Sequence, residues 1–369
     1  MVERLLYLAN LHVSDFRNVA QANIEFGPGI NLIVGANGAG KTAILEAIFL
    51  LARGRSFRSS QTKHLIRRGQ HQLLVRGDVV RAGTGHVLAR SKASQGENQT
   101  RIDGEHAALQ SRFAELLPLQ ALLPGIADLV LDGPGIRREF VDWGLFHVEQ
   151  RYLEMARRFR KALSQRGAWL KENSGATFQD DPWVNTLVTS GCQISAWRQR
   201  FVSELDDHFQ RTLVHLASGL GAELGYSNAG FDGDEVSAVV QMEASFERDR
   251  RYATTHVGPH RADMDIRVDG IGAKSSVSRG QAKLLASALM LGYSALLSGR
   301  DRVQPIMLLD DFGAELDEAH RNEFFAELQR FGCQVIATTT EPPAQLLGST
   351  MADNIRVFHV EQGELNRTS

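Results

Sequence analysis

Apolar residues recur with two different spacings in the first hundred positions. Residues 5–13 and 22–26 read as a strand and its antiparallel partner, joined by a polar turn. Residues 30–34 form a continuous apolar run typical of a buried strand, and residues 41–52 have helical apolar spacing. Further strands are predicted between residues 72 and 102. The pattern therefore predicts the start of an α/β lobe.

In the middle of the chain, apolar residues recur with the spacing of a helix rather than of a strand. Residues 149–171 and 183–216 each place apolar side chains on one helical face, and a breaker segment, residues 173–182, separates them. Two long amphipathic helices joined by a short polar turn predict an antiparallel helical arm. An ordinary helical subdomain would give the same pattern.

The last third returns to alternating strands and helices. A helix is predicted over residues 281–297, and strands over 264–268, 306–309, 334–338 and 355–360, the last as an edge strand. We therefore expect an α/β lobe interrupted by a helical insertion. The predicted segments are residues 1–123 for the first part of the lobe, 124–254 for the insertion and 255–369 for the second part.

Composition narrows the class of protein. The 369 residues are 43% hydrophobic and 23% charged, with a net charge of −2, so a nucleic-acid surface would have to be a local patch. Cys192 and Cys333 are far apart, which gives no metal-ligand spacing and suits a reducing cytosol. We see no signal peptide and no uninterrupted apolar run long enough to span a bilayer, and expect a cytoplasmic protein without a membrane partner.

A glycine-rich segment follows the apolar run that ends at residue 34. It fits G-x-x-x-x-G-K-[ST] and reads Gly35-Ala36-Asn37-Gly38-Ala39-Gly40-Lys41-Thr42. Glycines let backbone N–H groups turn toward phosphate oxygens, and the helix that follows adds its N-terminal dipole. We expect Lys41 to reach the β- and γ-phosphates of ATP and Thr42 to ligate Mg²⁺.

A second acidic motif ends the apolar run at residues 306–309. Asp310 and Asp311 follow it, as in a Walker B strand, although a strand ending at an exposed acidic turn would look the same. With a P-loop upstream, we expect Asp310 to hold the Mg²⁺ shell, usually through water. Asp311 would orient or deprotonate the attacking water, and it joins Lys41 as a catalytic candidate.

The helix predicted at residue 281 is preceded by Ser278-Arg279-Gly280-Gln281. A serine there is commonly only an N-cap. The alternative is an ABC-type signature, in which the helix start meets the γ-phosphate of ATP held by a second subunit. The spacing to Asp310 and the following Ala314-Glu315-Leu316-Asp317, which is similar to a D-loop, favour that alternative. It implies ATP-dependent dimerisation.

Together these motifs resemble the SMC-like branch of the ABC ATPases, and within it the RecF family. The resemblance covers nearly the whole chain through motifs in order: Asp15-Phe16-Arg17-Asn18, Gly54-Arg55-Ser56-Phe57-Arg58, Gly133-Pro134, Arg137-Arg138-Glu139-Phe140-Val141-Asp142-Trp143, Gly258-Pro259-His260-Arg261 and the signature and D-loop segments. The resemblance implies an ABC-type P-loop ATPase head with an inserted helical arm. Arg17, in the first motif, is included among the candidate ATP-binding residues.

The resemblance also implies a function. RecF-like proteins act at gapped or double-strand/single-strand junction DNA, with a RecR-like recombination mediator, in recombinase loading and the SOS response. We expect a weak, DNA-stimulated ATPase that serves as a switch.

Asp311 stands where most ABC ATPases have Glu, and Thr339 or Thr340 stands near the usual switch histidine. Both departures predict slow hydrolysis. Pro124-Gly125 replaces a common Pro-Glu, which leaves Gln120 as a guess for the Q-loop.

A basic stretch follows the P-loop helix. Between Glu46 and Asp78 there is no acidic residue, while the basic residues are Arg53, Arg55, Arg58, Lys63, Arg67, Arg68 and Arg76. Such residues could follow a DNA backbone without reading bases, although a solvated positive face is the ordinary explanation. Some of these arginines could instead pair with the acidic D-loop region. The DNA candidates are Arg55, Arg58, Arg67 and Arg68, with Arg157, Arg158, Arg160 and Lys161 as a second patch.

Two other classes of protein share a P-loop. A P-loop kinase does not need the signature and D-loop segments. The ATPase subunit of a membrane transporter would use the helical insertion as its coupling subdomain, but the long insertion and the basic stretch do not favour it.

Overall fold

The structure, a computed structural model, describes residues 6–59, 61–95, 97–107, 109–217, 219–301, 304–311, 317–341, 355–361 and 364–368. Its strands are β1 (Leu6–Phe16), β2 (Val19–Glu25), β3 (Ile30–Val34), β4 (Gln72–Arg81), β5 (Thr84–Ala93), β6 (Gln99–Ile102), β7 (Glu105–His106), β8 (Leu119–Leu122), β9 (Ala222–Ser227), β10 (Asp263–Val268), β11 (Ile271–Gly272), β12 (Ile306–Leu309), β13 (Val335–Thr339), β14 (Ile355–Glu361) and β15 (Glu364–Thr368). Its helices are α1 (Lys41–Arg53), α2 (Gln110–Leu116), α3 (Asp128–Leu131), α4 (Pro134–Val148), α5 (Tyr152–Glu172), α6 (Val184–Leu216), α7 (Glu235–Tyr252), α8 (Ala273–Ser276), α9 (Arg279–Asp301) and α10 (Glu318–Phe331).

The chain divides into two compact units. The first comprises residues 1–126, 215–217 and 286–369, and the second residues 127–214 and 218–285. The first division lies near the predicted boundary at 123/124. The second unit continues past the predicted boundary at 254/255, because β10 pairs with β9 inside it.

The parallel sheet of the first unit places the glycine-rich segment. Its strand order is β15-β14-β3-β13-β12-β8, parallel except for β15. All five residues of β3 are buried, as expected for a central strand of an α/β sheet. The carboxyl ends of β3, β12 and β13 therefore lie at one edge, where ligands bind in α/β folds.

Residues 355–360 were predicted as an edge strand, and this prediction was wrong. β14 pairs on one side with β3 and on the other with β15. The outer strand is β15, whose sequence Glu-Leu-Asn-Arg-Thr has little apolar character.

An antiparallel sheet forms the other layer of the first unit, in the order β2-β1-β4-β5-β6-β7. β1 and β2 pair as predicted, but the turn is tighter than residues 14–18. β1 continues to Phe16, which pairs with Val19, and Arg17 adopts a left-handed φ of 55°.

Helix α1 packs against strands of both sheets, and its residues belong to the continuous core of the first unit. The buried amide of Gln334 joins the layers directly. It accepts a hydrogen bond from the Leu8 amide at 2.8 Å and donates to the carbonyls of Leu8 and Gly27 at 2.9 and 2.7 Å. Because both amide ends are used, this polar side chain is satisfied inside the core.

The second unit contains the predicted helical hairpin. Tyr152 of α5 contacts Trp197 of α6, with ring centroids 6.0 Å apart, and Arg166 of α5 binds Asp181 just before α6 at 2.6 Å. Later α5 residues meet earlier partners, so the two segments run antiparallel, as predicted. Helices α4 and α7 were not predicted. The antiparallel sheet β11-β10-β9 completes this unit.

Among the described residues, one helix has the length and apolar character to cross a membrane. Residues 279–299 of α9 have a mean hydropathy of 1.3, and 72% of the apolar window is buried within the protein. The same burial is typical of a core helix.

Candidate nucleotide-binding site

The glycine-rich loop connects β3 to α1, as the sequence predicted. Gly40 immediately precedes α1 with a φ of 115°, which favours glycine because a Cβ would be strained there. A Cβ at Gly35 would lie 2.6 Å from the carbonyl oxygen of Val360 on β14. The loop therefore needs glycine at both ends, once for backbone conformation and once for space.

Lys41 begins α1 and bends back over this loop. Its Nζ donates hydrogen bonds to the carbonyl oxygens of Gly35 at 2.7 Å and Ala36 at 3.0 Å. Burial lowers the pKa of Lys41, while the charges of Asp311 and Asp310 raise it. The ammonium is thus held in the loop, within electrostatic reach of both acidic candidates.

The two acidic candidates follow β12 at the same sheet edge. Asp310 is buried, and its Oδ1 accepts hydrogen bonds from Thr42 Oγ1 at 2.9 Å and Thr338 Oγ1 at 2.7 Å. Burial raises the pKa of Asp310, and the two threonine hydroxyls lower it. Asp311 adopts a φ of 50°, and its N–H donates to Thr338 Oγ1 at 2.8 Å. Thr42 and Asp310, 268 residues apart, therefore share one site.

These oxygen atoms fit a magnesium nucleotide. Mg²⁺ prefers hard oxygen ligands and keeps several waters and phosphate oxygens, so one hydroxyl and one carboxylate are a suitable protein contribution. Within the described ranges, no group of three or more His, Cys, Asp and Glu residues could hold a metal ion by itself. The donor set of Thr42 and Asp310 fits a metal that arrives with a polyphosphate.

Arg17 does not point into the loop as a free cation. Its Nε and Nη2 donate to both carboxylate oxygens of Glu46, at 2.9 and 2.6 Å, and its Nη1 donates to the His64 carbonyl at 2.6 Å. Glu46 is completely buried on α1. This bidentate pair gives Arg17 a structural partner, whereas its assignment to ATP stays a prediction. Asn18, next to it, donates to the Gly38 carbonyl at 3.0 Å.

Ser278 caps helix α9. The Gln281 amide donates to Ser278 Oγ at 3.2 Å, and the Ser278 amide donates to Gln281 Oε1 at 2.9 Å, which is a capping box. Arg279 and Gly280 form the first turn, whose N–H groups are available to an anion. The N-cap interpretation is confirmed. The signature interpretation uses the same geometry and stays a prediction.

The predicted D-loop is described only at its end. Glu315 and Leu316 lie outside the described residues. Asp317 caps α10 by accepting a hydrogen bond from the His320 amide at 3.0 Å. This hydrogen bond is the largest cause of a lowered pKa at Asp317.

The basic stretch separates into inward and outward residues. Arg53 donates to the Leu119 carbonyl at 2.9 Å, and Arg76 lies 3.3 Å from Asp78. Arg67 is half-buried, 3.9 Å from Asp15. The exposed members are Arg55, Arg58, Lys63, Arg68 and Arg76. The second patch is also exposed at Arg157, Arg158, Arg160 and Lys161 on α5.

Gln120 does not suit a Q-loop. It lies within β8, is 2% exposed, and accepts a hydrogen bond from Ser294 at 2.8 Å. A buried side chain tied to α9 cannot reach a ligand at the sheet edge. Thr340 is exposed, and buried Thr339 accepts a hydrogen bond from the Glu341 amide at 2.9 Å.

Sequence reasoning missed two side chains that shape this site. Thr338 contacts both Walker B residues, and Glu46 binds Arg17. The signal for Glu46 was a single acid within an otherwise apolar run, residues 43–52. The signal for Thr338 was a threonine run at the end of a buried strand.

Comparisons with known proteins identify the family of the chain. Residues 7–366 match the family described as RecF/RecN/SMC N terminal domain. The DNA replication and repair protein RecF of Pseudomonas fluorescens (strain Pf0-1) is 38% identical over 363 residues, which cover 98% of each chain. The protein of the same name from Pseudomonas aeruginosa (strain LESB58) is 37% identical over 363 residues, with the same coverage.

Solved structures give the same picture of the fold. The recombination mediator protein RecF-ATPrS in the RecFOR pathway aligns with a TM-score of 0.86 at 25% identity, over 100% of this chain and 99% of that chain. The Smc head bound to the C-winged helix domain of ScpA aligns with a TM-score of 0.58 at 16% identity, over 98% of this chain and 97% of that one. The second likeness concerns the fold alone.

Proposed function

Because the chain belongs to the RecF family of DNA replication and repair proteins, we propose that it is a DNA-binding repair protein switched by ATP. One observation carries the proposal. The P-loop hydroxyl of Thr42 and the Walker B carboxylate of Asp310 meet at 2.9 Å, beside the loop that Lys41 closes. This is the arrangement that holds Mg²⁺ and the β- and γ-phosphates of ATP.

The residues of the first unit have distinct roles in this proposal. The loop amides and Lys41 bind phosphate oxygens, Thr42 and Asp310 hold Mg²⁺, and Asp311 positions the attacking water. A bound Mg²⁺ supplies charge neutralisation at the transferring phosphoryl group. Asp is one methylene shorter than the usual Glu, so the water is held less closely. Slow hydrolysis suits a switch better than a turnover enzyme.

The capping box at Ser278 provides the second half of a composite site. The subunit's own phosphates are held by the loop at residues 35–42, so the N–H groups at the start of α9 serve the nucleotide of a partner subunit. ATP would therefore close two copies into a symmetric dimer. The exposed arginines after α1 contact DNA phosphates. The proposed target is gapped or junction DNA in the cytoplasm. The proposed protein partner is a RecR-like mediator.

Repair function is supported over the two alternatives that the sequence left open. The two relatives described above, which match across 98% of the chain, are RecF proteins rather than kinases or transporter subunits. A kinase also does not need the signature and D-loop segments.

The test combines size and DNA binding. Light scattering with and without ATP measures dimerisation, and binding to blunt, gapped and single-stranded DNA over a salt series measures the phosphate contacts.

A variant in which Arg55, Arg58, Arg67 and Arg68 are replaced together by Ala tests the DNA surface. We expect its log–log slope of DNA affinity against salt concentration to fall in magnitude by about one per lost contact. Arg76→Ala is the matched control, because Arg76 is exposed but paired with Asp78. An unchanged slope in the fourfold variant would move the DNA surface to α5, and a wild type that neither dimerises nor binds DNA would refute the proposed function.

A further inference from the structure

We propose that Glu46 is a positioning residue that couples ATP binding at the P-loop to DNA binding by the basic segment. The basic segment is residues 54–68, of which the structure describes all but residue 60. The inference rests on the proposed function, because it assumes that this segment contacts DNA. It goes further by naming the connection through which one ligand affects the other.

Glu46 is a buried carboxylate with a complete set of donors. Its side chain is 0% exposed, and both oxygens are used by the Arg17 guanidinium at 2.9 and 2.6 Å. The hydroxyl of Ser56, ten residues later, also donates to Oε1. A charge this deeply buried is stable only while its partners stay in place, since breaking a buried pair leaves an uncompensated charge. Glu46 therefore fixes Arg17 and Ser56 relative to α1.

On the nucleotide side, one turn of helix α1 connects the P-loop to Glu46. Thr42 and Glu46 are four residues apart on α1 and share a face of the helix. Thr42 binds Asp310, the carboxylate assigned to the metal. Because the helix is a rigid element, a movement of the first turn of α1 around Mg²⁺ and phosphate also moves Glu46. This movement changes the positions of its partners Arg17 and Ser56.

The other side of the connection holds the basic segment at two points. At its start, Ser56 Oγ accepts hydrogen bonds from the amides of Arg58 and Ser59, both at 2.9 Å. At its end, Arg17 Nη1 donates to the His64 carbonyl at 2.6 Å, and the Arg17 amide donates to the Leu65 carbonyl at 2.7 Å. Glu46 thus fixes the backbone at both ends of the segment, through Ser56 at the start and through Arg17 at the end.

The part held between these points carries the positive charge. Arg58 and Lys63 are exposed, while Phe57 packs edge-on against Phe49 of α1 at 5.3 Å. The segment is therefore anchored to the P-loop helix through Phe57 and exposes its charged side chains to solvent.

Coupling of this kind has a reciprocal signature. If ATP raises DNA affinity by a given factor, DNA must raise ATP affinity by the same factor. A residue with only a structural role would weaken one or both affinities when removed but would leave the factor unchanged. Measuring each affinity with and without the other ligand separates the two roles.

The experiment compares Ser56→Ala with Ser59→Ala. Ser56→Ala leaves the Arg17–Glu46 pair and its hydrogen bonds to the end of the segment intact. It removes the link from Glu46 to the start of the segment, together with the two amide hydrogen bonds that Ser56 accepts. Ser59→Ala removes a neighbouring hydroxyl that bonds within the segment, to Gln61 and His64, and not to Glu46. ATP affinity without DNA should stay close to wild type in both variants. The coupling factor should fall about fivefold or more in Ser56→Ala and persist in Ser59→Ala.

A double-mutant cycle tests Glu46 itself. Arg17→Gln, Glu46→Gln and the double variant should lose the coupling factor to the same extent, because each breaks the same connection. If Glu46→Gln does not fold, the serine pair decides the question.

Three results would overturn the proposal. An unchanged coupling factor in Ser56→Ala, with DNA binding intact, defeats it while the proposed function stands. Equal losses in Ser59→Ala show that any change in the segment has this effect. Absence of ATP-dependent DNA binding in the wild type removes the proposed function and the coupling together.

Discussion

Thr338 donates its hydroxyl to Asp310 Oδ1 at 2.7 Å and accepts the Asp311 amide at 2.8 Å. One side chain on β13 thereby orients both residues at the end of β12. Since Thr338 is completely buried, neither hydrogen bond competes with water. The position of both acidic residues depends on the neighbouring strand.

Thr338→Val tests this dependence. The variant keeps the shape of the side chain but leaves Asp310 with only the Thr42 hydroxyl, so the affinity for MgATP should fall about tenfold or more. The free energy of unfolding should fall by about 1 to 3 kcal/mol. Thr339→Val is the control, because the neighbouring Thr339 hydroxyl accepts the Glu341 amide instead. Titration with a fluorescent nucleotide at varied Mg²⁺ makes the measurement, and equal losses in both variants would contradict the assignment.

Lys41→Ala should lower ATP affinity by about 10- to 100-fold, because a charged hydrogen-bond donor to phosphate is lost. Lys41→Arg keeps the charge but not the compact ammonium that fits the loop, so binding should persist while hydrolysis is lost. Equilibrium nucleotide binding and phosphate release distinguish the two. Wild-type ATP affinity in Lys41→Ala would show that the loop binds no phosphate.

Asp311→Asn should slow hydrolysis by about 100-fold or more and trap the ATP-bound dimer. The amide no longer activates water, while Asp310 remains to hold Mg²⁺. Sizing in saturating ATP provides the measurement. A variant that remains monomeric under conditions where the wild type dimerises would give Asp311 another role.

Ser278→Arg should block dimerisation and leave ATP binding intact. A bulky side chain at the capping box obstructs a partner's nucleotide, whereas the loop at residues 35–42 is unchanged. Ser278→Ala is the control, since it removes the cap at a cost of about 1 kcal/mol without adding bulk. Light scattering in ATP compares them. Wild-type dimerisation in Ser278→Arg would leave Ser278 as an N-cap only.

His260 should make the protein sensitive to acid. Burial lowers the pKa of His260 to about 4, and its Nε2 donates to the Thr255 carbonyl at 2.8 Å. The unfolded chain takes up this proton near pH 6.5, whereas the folded protein resists it. Stability is therefore full above pH 6.5 and falls by roughly 3 kcal/mol as the pH drops toward 4.

Urea unfolding at a series of pH values measures this loss. His260→Gln should flatten the pH dependence between pH 6.5 and 4, because no proton is taken up at that position. His359→Gln, at an exposed histidine, is the control for the substitution itself. A pH profile of His260→Gln that matches the wild type would assign the acid sensitivity elsewhere.

The parts of the site that were predicted lie within short stretches of sequence. The loop from Gly35 to Thr42 carries its own conformation in its glycines, and a buried strand before it is visible as an apolar run. Asp310 and Asp311 were recognisable because a carboxylate pair follows four apolar residues in a chain that also carries a P-loop upstream. Local sequence determines these features, so local reasoning finds them.

The features that were missed depend on distant parts of the chain. Arg17 bonds Glu46 because the loop after α1 returns to the β1–β2 turn, which no spacing rule shows. Residues 355–360 were assigned an edge position because their outer neighbour, β15, is polar. Helix α4 packs at Gly144 against Phe201, where a Cβ would lie 2.1 Å from the ring. A small residue hidden under a distant aromatic leaves no periodic signal.

The position of β3 has a consequence for how the protein is made. The strand that leads into the P-loop lies between β13 and β14, so both of its neighbours belong to the last tenth of the chain. A ribosome that has synthesised the loop must add about three hundred more residues before the flanking strands exist, which at ~5–20 residues per second takes tens of seconds. Until then the nascent loop lacks the sheet that shapes it. Truncated chains released during synthesis would therefore carry the phosphate motif without the means to bind nucleotide, and could not occupy half of a dimer.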